Sequence, residues 1–313
     1  AGVIAANHNG IGIDGIAPTA TLVSIKASND EQLMYPEYVT CGFMWAASHG
    51  VDIVNNSYSM DPWVYWSPSD PEQAAGLEAA TRAIAYAQGK GLAVIASAGN
   101  DGMDNDNVTT DSGSPTDLDA PIKDRPVKNG VKVPAMVEGV SQVSAATRTN
   151  VETKPEWANL KRADFSNYGK LVDVSAPGSG IMSTVDLGTT VSTGAGYTEY
   201  DGTSMAAPQV AGVIALMKSV DPSLTAERAK QILKQSSKPL TCDVNACGSG
   251  IVNAASALAM VQGKKDPNPA AKPWPKRAPK HPTRAARVGY VTNPAVNHNP
   301  PFLITAHGLI PGQ

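Results

Sequence analysis

Short apolar runs of strand length alternate with helical patterns along most of this chain, and that alternation restricts the fold more than any other feature. Thr21-Leu22-Val23-Ser24-Ile25 reads as a strand, Tyr38 to Ser48 as a helix, and Val51 to Ser57 as a second strand. Glu72 to Gln88 is Ala-rich, with apolar residues three and four apart. It reads as a helix ended by Gly89 and Gly91 before the strand Leu92 to Ser97. Val140 to Ala145 reads as a further strand, and Ser204 to Lys218, Ala226 to Gln235 and Asn253 to Val261 as helices. Such alternation favours an α/β fold, a mostly parallel sheet covered by helices on both faces. Sites in these sheets gather at the carboxyl ends of strands, and Ser57 and Asn100 both follow strand ends. No run of about 18 apolar residues occurs, so no membrane span is expected.

In Asp201-Gly202-Thr203-Ser204-Met205-Ala206-Ala207-Pro208, a small, flexible pair leads into a serine that opens an apolar helix. Such a serine has free backbone N–H groups beside its hydroxyl and lies at the positive end of the helix dipole. That environment stabilises the oxyanion formed when the hydroxyl attacks a carbonyl. Taken alone the motif reads more readily as a helix cap, because Ser and Thr are preferred there. Its company along the chain reverses the choice.

The octapeptide resembles the nucleophile motif of the subtilisin-like serine peptidases, the subtilases. Asn7 to Pro18 resembles the loop after that family's catalytic-histidine helix, Val51 to Tyr58 the strand lining the substrate cleft, and Val94 to Asn100 the strand ending in the oxyanion asparagine. Asp164 to Gly169 and Val172 to Gly178 resemble the region upstream of the nucleophile, and Gly248 to Ala254 the segment before the last helix. All stand in the family's order. The resemblance implies a three-layer subtilisin-like fold and a serine endopeptidase working through an acyl-enzyme on Ser204, with the Asn100 amide and the Ser204 N–H holding the oxyanion. It implies polypeptide substrates laid along Ser57, Tyr58 and Ser59, and a specificity pocket walled by Ser97, Ala98 and Gly99. Small residues in that wall suggest room for a sizeable, apolar side chain. Many relatives carry glycine where Ser59 stands, which alters the cleft floor. An ester hydrolase is disfavoured, because its nucleophile elbow needs a glycine where Ala206 stands.

The family's triad runs Asp, His, Ser, with the histidine in a His-Gly-Thr-His-Val-Ala-Gly type of motif. Ala1-Gly2-Val3-Ile4-Ala5-Ala6 matches only the tail of that motif, so the fold is expected to be truncated at its N-terminus. Three readings follow: a piece of a longer gene, a processed chain whose N-terminal piece or propeptide stays associated, or a peptide-binding module that has lost catalysis. The five histidines offer no substitute base: His8 lies in a loop, His49 suits a helix C-cap, and His281, His298 and His307 fall in a Pro-rich stretch. A serine hydroxyl is a weak nucleophile without a base. Measured on subtilisin itself, loss of the base costs about a millionfold in turnover, leaving ~10³–10⁴ over water. This chain alone is therefore expected to be close to inactive.

Two further regions stand out. Residues 101–139 form a polar insert rich in aspartate, read as a solvated loop, with calcium binding as the rival. Asp111-Ser112-Gly113 within it mimics the triad's aspartate motif in the wrong topological place. Residues 264–313 hold ten of the 24 prolines and eight basic side chains against Asp266, a net +7 that leaves −10 on residues 1–263. We therefore expect a catalytic-domain portion over 1–263 and a Pro-rich basic tail or linker over 264–313. An acidic body argues against nucleic acid as a partner. No cofactor is needed for catalysis. The resemblance implies a structural Ca²⁺ held by Asn7, Asn9, Ile11 and Ile13, and a short disulfide between Cys242 and Cys247. A disulfide implies an extracellular or periplasmic setting.

Overall fold

A computed structural model describes residues 1–149, 160–185, 196–242, 247–264 and 287–291. His281, His298 and His307 lie outside these residues, as does most of the tail. The elements in chain order are α1 (Gly2–Ala5), β1 (Thr21–Ile25), α2 (Pro36–Ser48), β2 (Ile53–Asn56), α3 (Pro71–Gly89) and β3 (Ala93–Ser97). There follow β4 (Thr110–Asp111), β5 (Arg125–Pro126), β6 (Ser141–Arg148), β7 (Leu160–Arg162), β8 (Val172–Pro177), β9 (Ile181–Thr184) and β10 (Tyr197–Tyr200). The last elements are α4 (Thr203–Val220), α5 (Ala226–Ser236), α6 (Ala254–Val261) and β11 (Arg287–Val291).

The main sheet runs β1-β11-β2-β3-β6-β7, with β8 also on β6; all its pairings are parallel except β6 with β7. A parallel sheet buried on both faces needs strands that are apolar on both sides. The central strands meet that need with a two-residue period. Ile53, Ala93, Ile95, Val143 and Ala145 join the core under α4 and α5, while Val54, Val94 and Ala96 join the core under α2 and α3. The helices therefore sit on both faces, in three layers.

α4 is buried almost all round: Ala206, Ala207, Val210, Ala211, Val213, Ile214 and Met217 are each at most 2% exposed. A helix apolar on every side belongs in the middle of a domain. Its small residues let it lie close to its neighbours; a Cβ on Gly212 would meet Ile16. This central seat holds the start of α4 firmly at the sheet's carboxyl edge.

Two expectations need amending. The 101–139 insert is anchored in part, while residues 116–124 are exposed. β4 and β5 pair antiparallel, Tyr65, Val108 and Val127 make a small core, and Asp111 meets Arg125 at 2.8 Å with both side chains nearly buried. Burial acts to raise the Asp111 pKa, but bonds from Ser114, Arg125 and the Gly113 N–H outweigh it and leave the carboxyl below its ordinary value. Asp101, Asp104, Asp106, Asp117 and Asp124 also accept hydrogen bonds, and the described residues contain no cluster of three metal-ligating side chains. The second amendment concerns 264–313. Arg287–Val291 is a strand inside the main sheet, between β1 and β2.

Candidate active site

Ser204 is the second residue of α4, not its cap; the cap is Gly202, whose φ of 152° suits a residue without a Cβ. Thr203 N–H donates to Asn100 Oδ1 at 2.8 Å, and Met205 N–H to the Gly202 carbonyl at 3.0 Å. Among the described residues the Ser204 N–H and the Asn100 Nδ2 have no protein acceptor. A Cβ built on Gly202 would lie 3.5 Å from Asn100 Nδ2 and 3.6 Å from Ser204 N. The two donors therefore flank one point, and the absent side chain at 202 leaves room beside it.

Asn100 arrives there because β3 ends at Ser97 and Gly99 turns the chain with a φ of 113°. Its carbonyl oxygen is held twice by Thr203, from the backbone and from the hydroxyl at 2.8 Å, so the amide NH₂ is aimed outward. The same hydroxyl accepts the Gly99 N–H at 3.2 Å. Thr203 is fully buried and ties strand to helix, a positioning role that the sequence reading passed over. The available signal was local: a hydroxyl at a helix's first turn bonds back to nearby backbone.

Ser204 is tied to β2 through Ser57. Pro208 sits inside α4 and has no N–H for the Ser204 carbonyl, its normal partner four residues back. Ser57 Oγ takes that place, donating to Ser204 O at 3.0 Å, while Ser204 Oγ makes a long contact to Ser57 O at 3.4 Å. Among the described residues no histidine bonds to Ser204 Oγ. His8 pairs with Asp14 at 2.7 Å, and His49 caps α2, stacking on Trp45 with ring centroids 4.0 Å apart.

The remaining candidates divide. Ser57 and Ser59 are half-buried just beyond β2, but the Tyr58 ring lies in the core, with its hydroxyl unpartnered and its pKa pushed up by burial. The Tyr58 side chain is therefore closed to a ligand. Ser97 and Ala98 are buried, and Gly99 is half-buried. Behind Gly99 the neighbouring groups are polar. Asn167 presses on the glycine, and Lys132 packs its stem there with its ammonium 3.4 Å from Asp101 and 4.9 Å from the centre of the Tyr65 ring. Burial holds the Lys132 pKa down, against the pull of Asp101. Asn7, Asn9, Ile11 and Ile13 line a cavity of about 330 Å³ together with Leu22, Thr184 and Tyr197. Cys242 and Cys247 are bonded to each other, and Cys41 is free and exposed.

The site is thus a serine on the first turn of a buried helix, faced by an asparagine from the end of a strand, in a largely parallel α/β domain. Residues 1–270 match the family model described as the subtilase family, and the chain belongs to that family. It is 31% identical over 257 residues to the alkaline elastase YaB of Bacillus sp. (strain YaB), covering 82% of this chain and 53% of that protein. It is 30% identical to subtilisin BL of Lederbergia lenta, covering 82% of this chain and 75% of the relative. Among solved structures, a protease from Pseudoalteromonas arctica superposes with a TM-score of 0.60 at 28% identity, over 83% of this chain and 69% of the other. Fervidolysin from Fervidobacterium pennivorans gives 0.60 at 28%, over 85% of this chain and 36% of the other. The chain thus spans about half the length of some relatives it matches. No helix among the described residues is long and apolar enough to cross a membrane.

Proposed function

We propose that this chain carries the nucleophile and oxyanion half of a serine endopeptidase. Ser204 Oγ attacks the carbonyl carbon of a peptide bond, and the resulting oxyanion is received by the Ser204 N–H and the Asn100 NH₂. One observation carries the reading: those two donors, both without a protein acceptor, flank a single point beside Gly202. Removing one such donor typically costs about 10²–10³ in turnover. The proton of Ser204 needs an acceptor that the described residues do not supply, so the chain by itself hydrolyses peptides slowly, and a base from outside it is required for full rate. A polypeptide substrate would lie along the backbone of 57–59 as an added strand. The disulfide and the alkaline-protease relatives support a secreted setting.

A peptidyl boronic acid separates this reading from a binding module without chemistry. Boron should turn tetrahedral on Ser204, giving an upfield ¹¹B resonance that Ser204→Ala abolishes, and Asn100→Leu should weaken the adduct about 100-fold. A boronate that binds equally to the Ser204→Ala variant would remove the nucleophile assignment and leave the binding-module reading.

The structural Ca²⁺ is a proposal of the same kind. Asn7, Asn9, Ile11 and Ile13 share one cavity and offer oxygens, but only neutral ones, and Asn9 Oδ1 already accepts the Ile11 N–H at 3.0 Å. Ca²⁺ takes about 6–8 oxygens, usually with carboxylates among them. These residues would hold the ion weakly and stiffen the loop. A rise in melting temperature with millimolar Ca²⁺, lost in Asn7→Ala, is the expected result; no Ca²⁺ dependence would exclude the site.

A further inference from the structure

Asn100 stands where little regular structure holds it. β3 ends at Ser97, the glycines nearby take φ of 113° at Gly99 and 64° at Gly102, and Asn100 itself is exposed. Thr203 fixes the side-chain carbonyl of Asn100, yet the amide is only as well placed as the backbone that carries it.

That backbone is gripped from behind by Asn167, which is fully buried. The Asn167 N–H donates to the Gly99 carbonyl at 3.0 Å, just before Asn100. Its Oδ1 accepts the N–H of Asp101 at 2.8 Å and that of Met103 at 3.1 Å, just after. One residue therefore holds the chain on both sides of the asparagine. Main-chain bonds continue the seam, from Gly102 N–H to the Phe165 carbonyl at 2.7 Å and from Tyr168 N–H to the Met103 carbonyl at 3.0 Å. So close an approach needs a residue without a side chain at 99, since a Cβ there would collide with Asn167 Nδ2.

Asn167 is itself fixed from two directions. Its backbone is tied to β6 through Ser166, whose Oγ accepts the Ala145 N–H at 2.9 Å and donates to the Asn167 carbonyl at 3.0 Å. Its amide nitrogen lies 3.1 Å from Asn105 Oδ1 and 3.3 Å from the Tyr65 hydroxyl. That hydroxyl donates to Asn105 Oδ1 at 2.7 Å, and Asn105 Nδ2 donates to the Ala98 carbonyl at 3.1 Å. These bonds set the orientation of the Asn167 amide, because a flipped side chain would turn its NH₂ toward the Asp101 and Met103 N–H groups. A buried polar network stiffens its surroundings when its members are paired in this way. Asn105 belongs to the 101–139 insert, so part of that insert backs the oxyanion loop.

We propose that Asn167 is a positioning residue of the oxyanion site: it holds the backbone of 99–103 so that the Asn100 amide, aimed by Thr203, meets the charge that forms on the substrate oxygen. The proposal rests on the nucleophile and oxyanion reading of Ser204 and Asn100. Asn167 acts through Asn100 and touches no reacting atom. Misplacing a catalytic group by about 1 Å can cost ~10²-fold. Removing the Asn167 side chain frees the Asp101 and Met103 N–H groups but leaves the Gly99 bond, so the expected loss is smaller, about tenfold.

A double-mutant cycle on the intact chain tests this with the peptidyl boronic acid, comparing wild type, Asn167→Ala, Asn100→Leu and the two together. Asn167→Ala should weaken the tetrahedral adduct about tenfold when Asn100 is present and less than about twofold when leucine replaces it. The same peptide ending in a carboxamide instead of boron should bind all four proteins within about twofold, because it develops no oxyanion. Should the alanine variant fail to fold, Asn167→Ser, which keeps a polar atom in the buried site, takes its place in the cycle. Hydrogen exchange gives a second readout: the Asp101 and Met103 amides should lose at least about tenfold protection in Asn167→Ala, while those of α4 keep theirs. Equal weakening of the adduct in both Asn100 backgrounds, a loss shared by the carboxamide, or unchanged exchange at Asp101 and Met103 would overturn the proposal. A wild type that forms no adduct would instead remove the nucleophile assignment, and exchange at those two amides would still decide whether Asn167 holds the loop.

Discussion

The link between Pro208 and Ser57 permits a prediction with an internal control. Ser57→Ala removes the only side-chain donor among the described residues to the Ser204 carbonyl, and Pro208 has no backbone N–H to supply in its place. A neutral hydrogen bond is worth a net ~0.5–1.5 kcal/mol, and a buried acceptor left without a partner costs ~1–3 kcal/mol. Ser57 is half-buried, so water partly replaces it, and we expect a loss of about 1 kcal/mol. Pro208→Ala restores an N–H four residues after Ser204, which should bond its carbonyl directly. In that background Ser57→Ala should cost roughly 0.7 kcal/mol less, the remainder being the bond that Ser57 Oγ accepts from Asn55 Nδ2 at 3.1 Å in both backgrounds. Urea unfolding of the wild type, both single variants and the double variant measures it. With a denaturant slope near ~3 kcal/mol/M, the first change appears as a midpoint shift of about 0.3 M. Equal costs of Ser57→Ala in both backgrounds, within about 0.3 kcal/mol, would show that Pro208 and Ser57 do not share the Ser204 carbonyl.

Asp111→Asn should destabilise the protein by about 3–5 kcal/mol at neutral pH, because it strands the Arg125 guanidinium in a nearly closed site. The Asp111 carboxyl is held below its ordinary value in the folded state, so its contribution is complete above that ordinary value and is lost as pH falls through the folded one. The acid limb of stability against pH, followed by urea midpoints from about pH 5 downward, should therefore flatten in the variant; a limb of unchanged steepness would deny Asp111 that role. Reduction of the Cys242–Cys247 bond should cost about 2 kcal/mol in the chain-entropy account, lowering the melting temperature by about 4–8 °C. A thiol titration rising from one, Cys41, to three checks that the reduction occurred, and an unshifted melting curve after it would refute the estimate.

Much of the frame was legible before any coordinates. Thr21–Ile25 is a strand with the bounds read from its apolar run, and the helices read at 38–48, 72–88 and 226–235 differ from those observed by a residue or two at their ends. Periodicity carries this information because a strand or helix buried on known faces must repeat its apolar residues every two or three to four positions. The motif order also carried the family and the pair Ser204 and Asn100. Local rules were misleading where polar residues are satisfied by distant partners. The aspartates of 101–139 look solvent-seeking in one dimension, yet Asp111 finds Arg125 fourteen residues on and becomes core. Nor does Lys132, thirty-three residues from Gly99, give any local sign of turning inward behind it.

Alone, the order of residues determined the layered α/β frame and which serine heads the central helix, since both follow from short-range backbone preference and apolar period. Tertiary structure decided that Thr203 aims the Asn100 amide, that Ser57 rather than the helix holds the Ser204 carbonyl, and that a strand from the Pro-rich stretch enters the sheet. Each of these depends on groups far apart in the chain meeting at hydrogen-bond distance, and no local pattern encodes a distance across the fold.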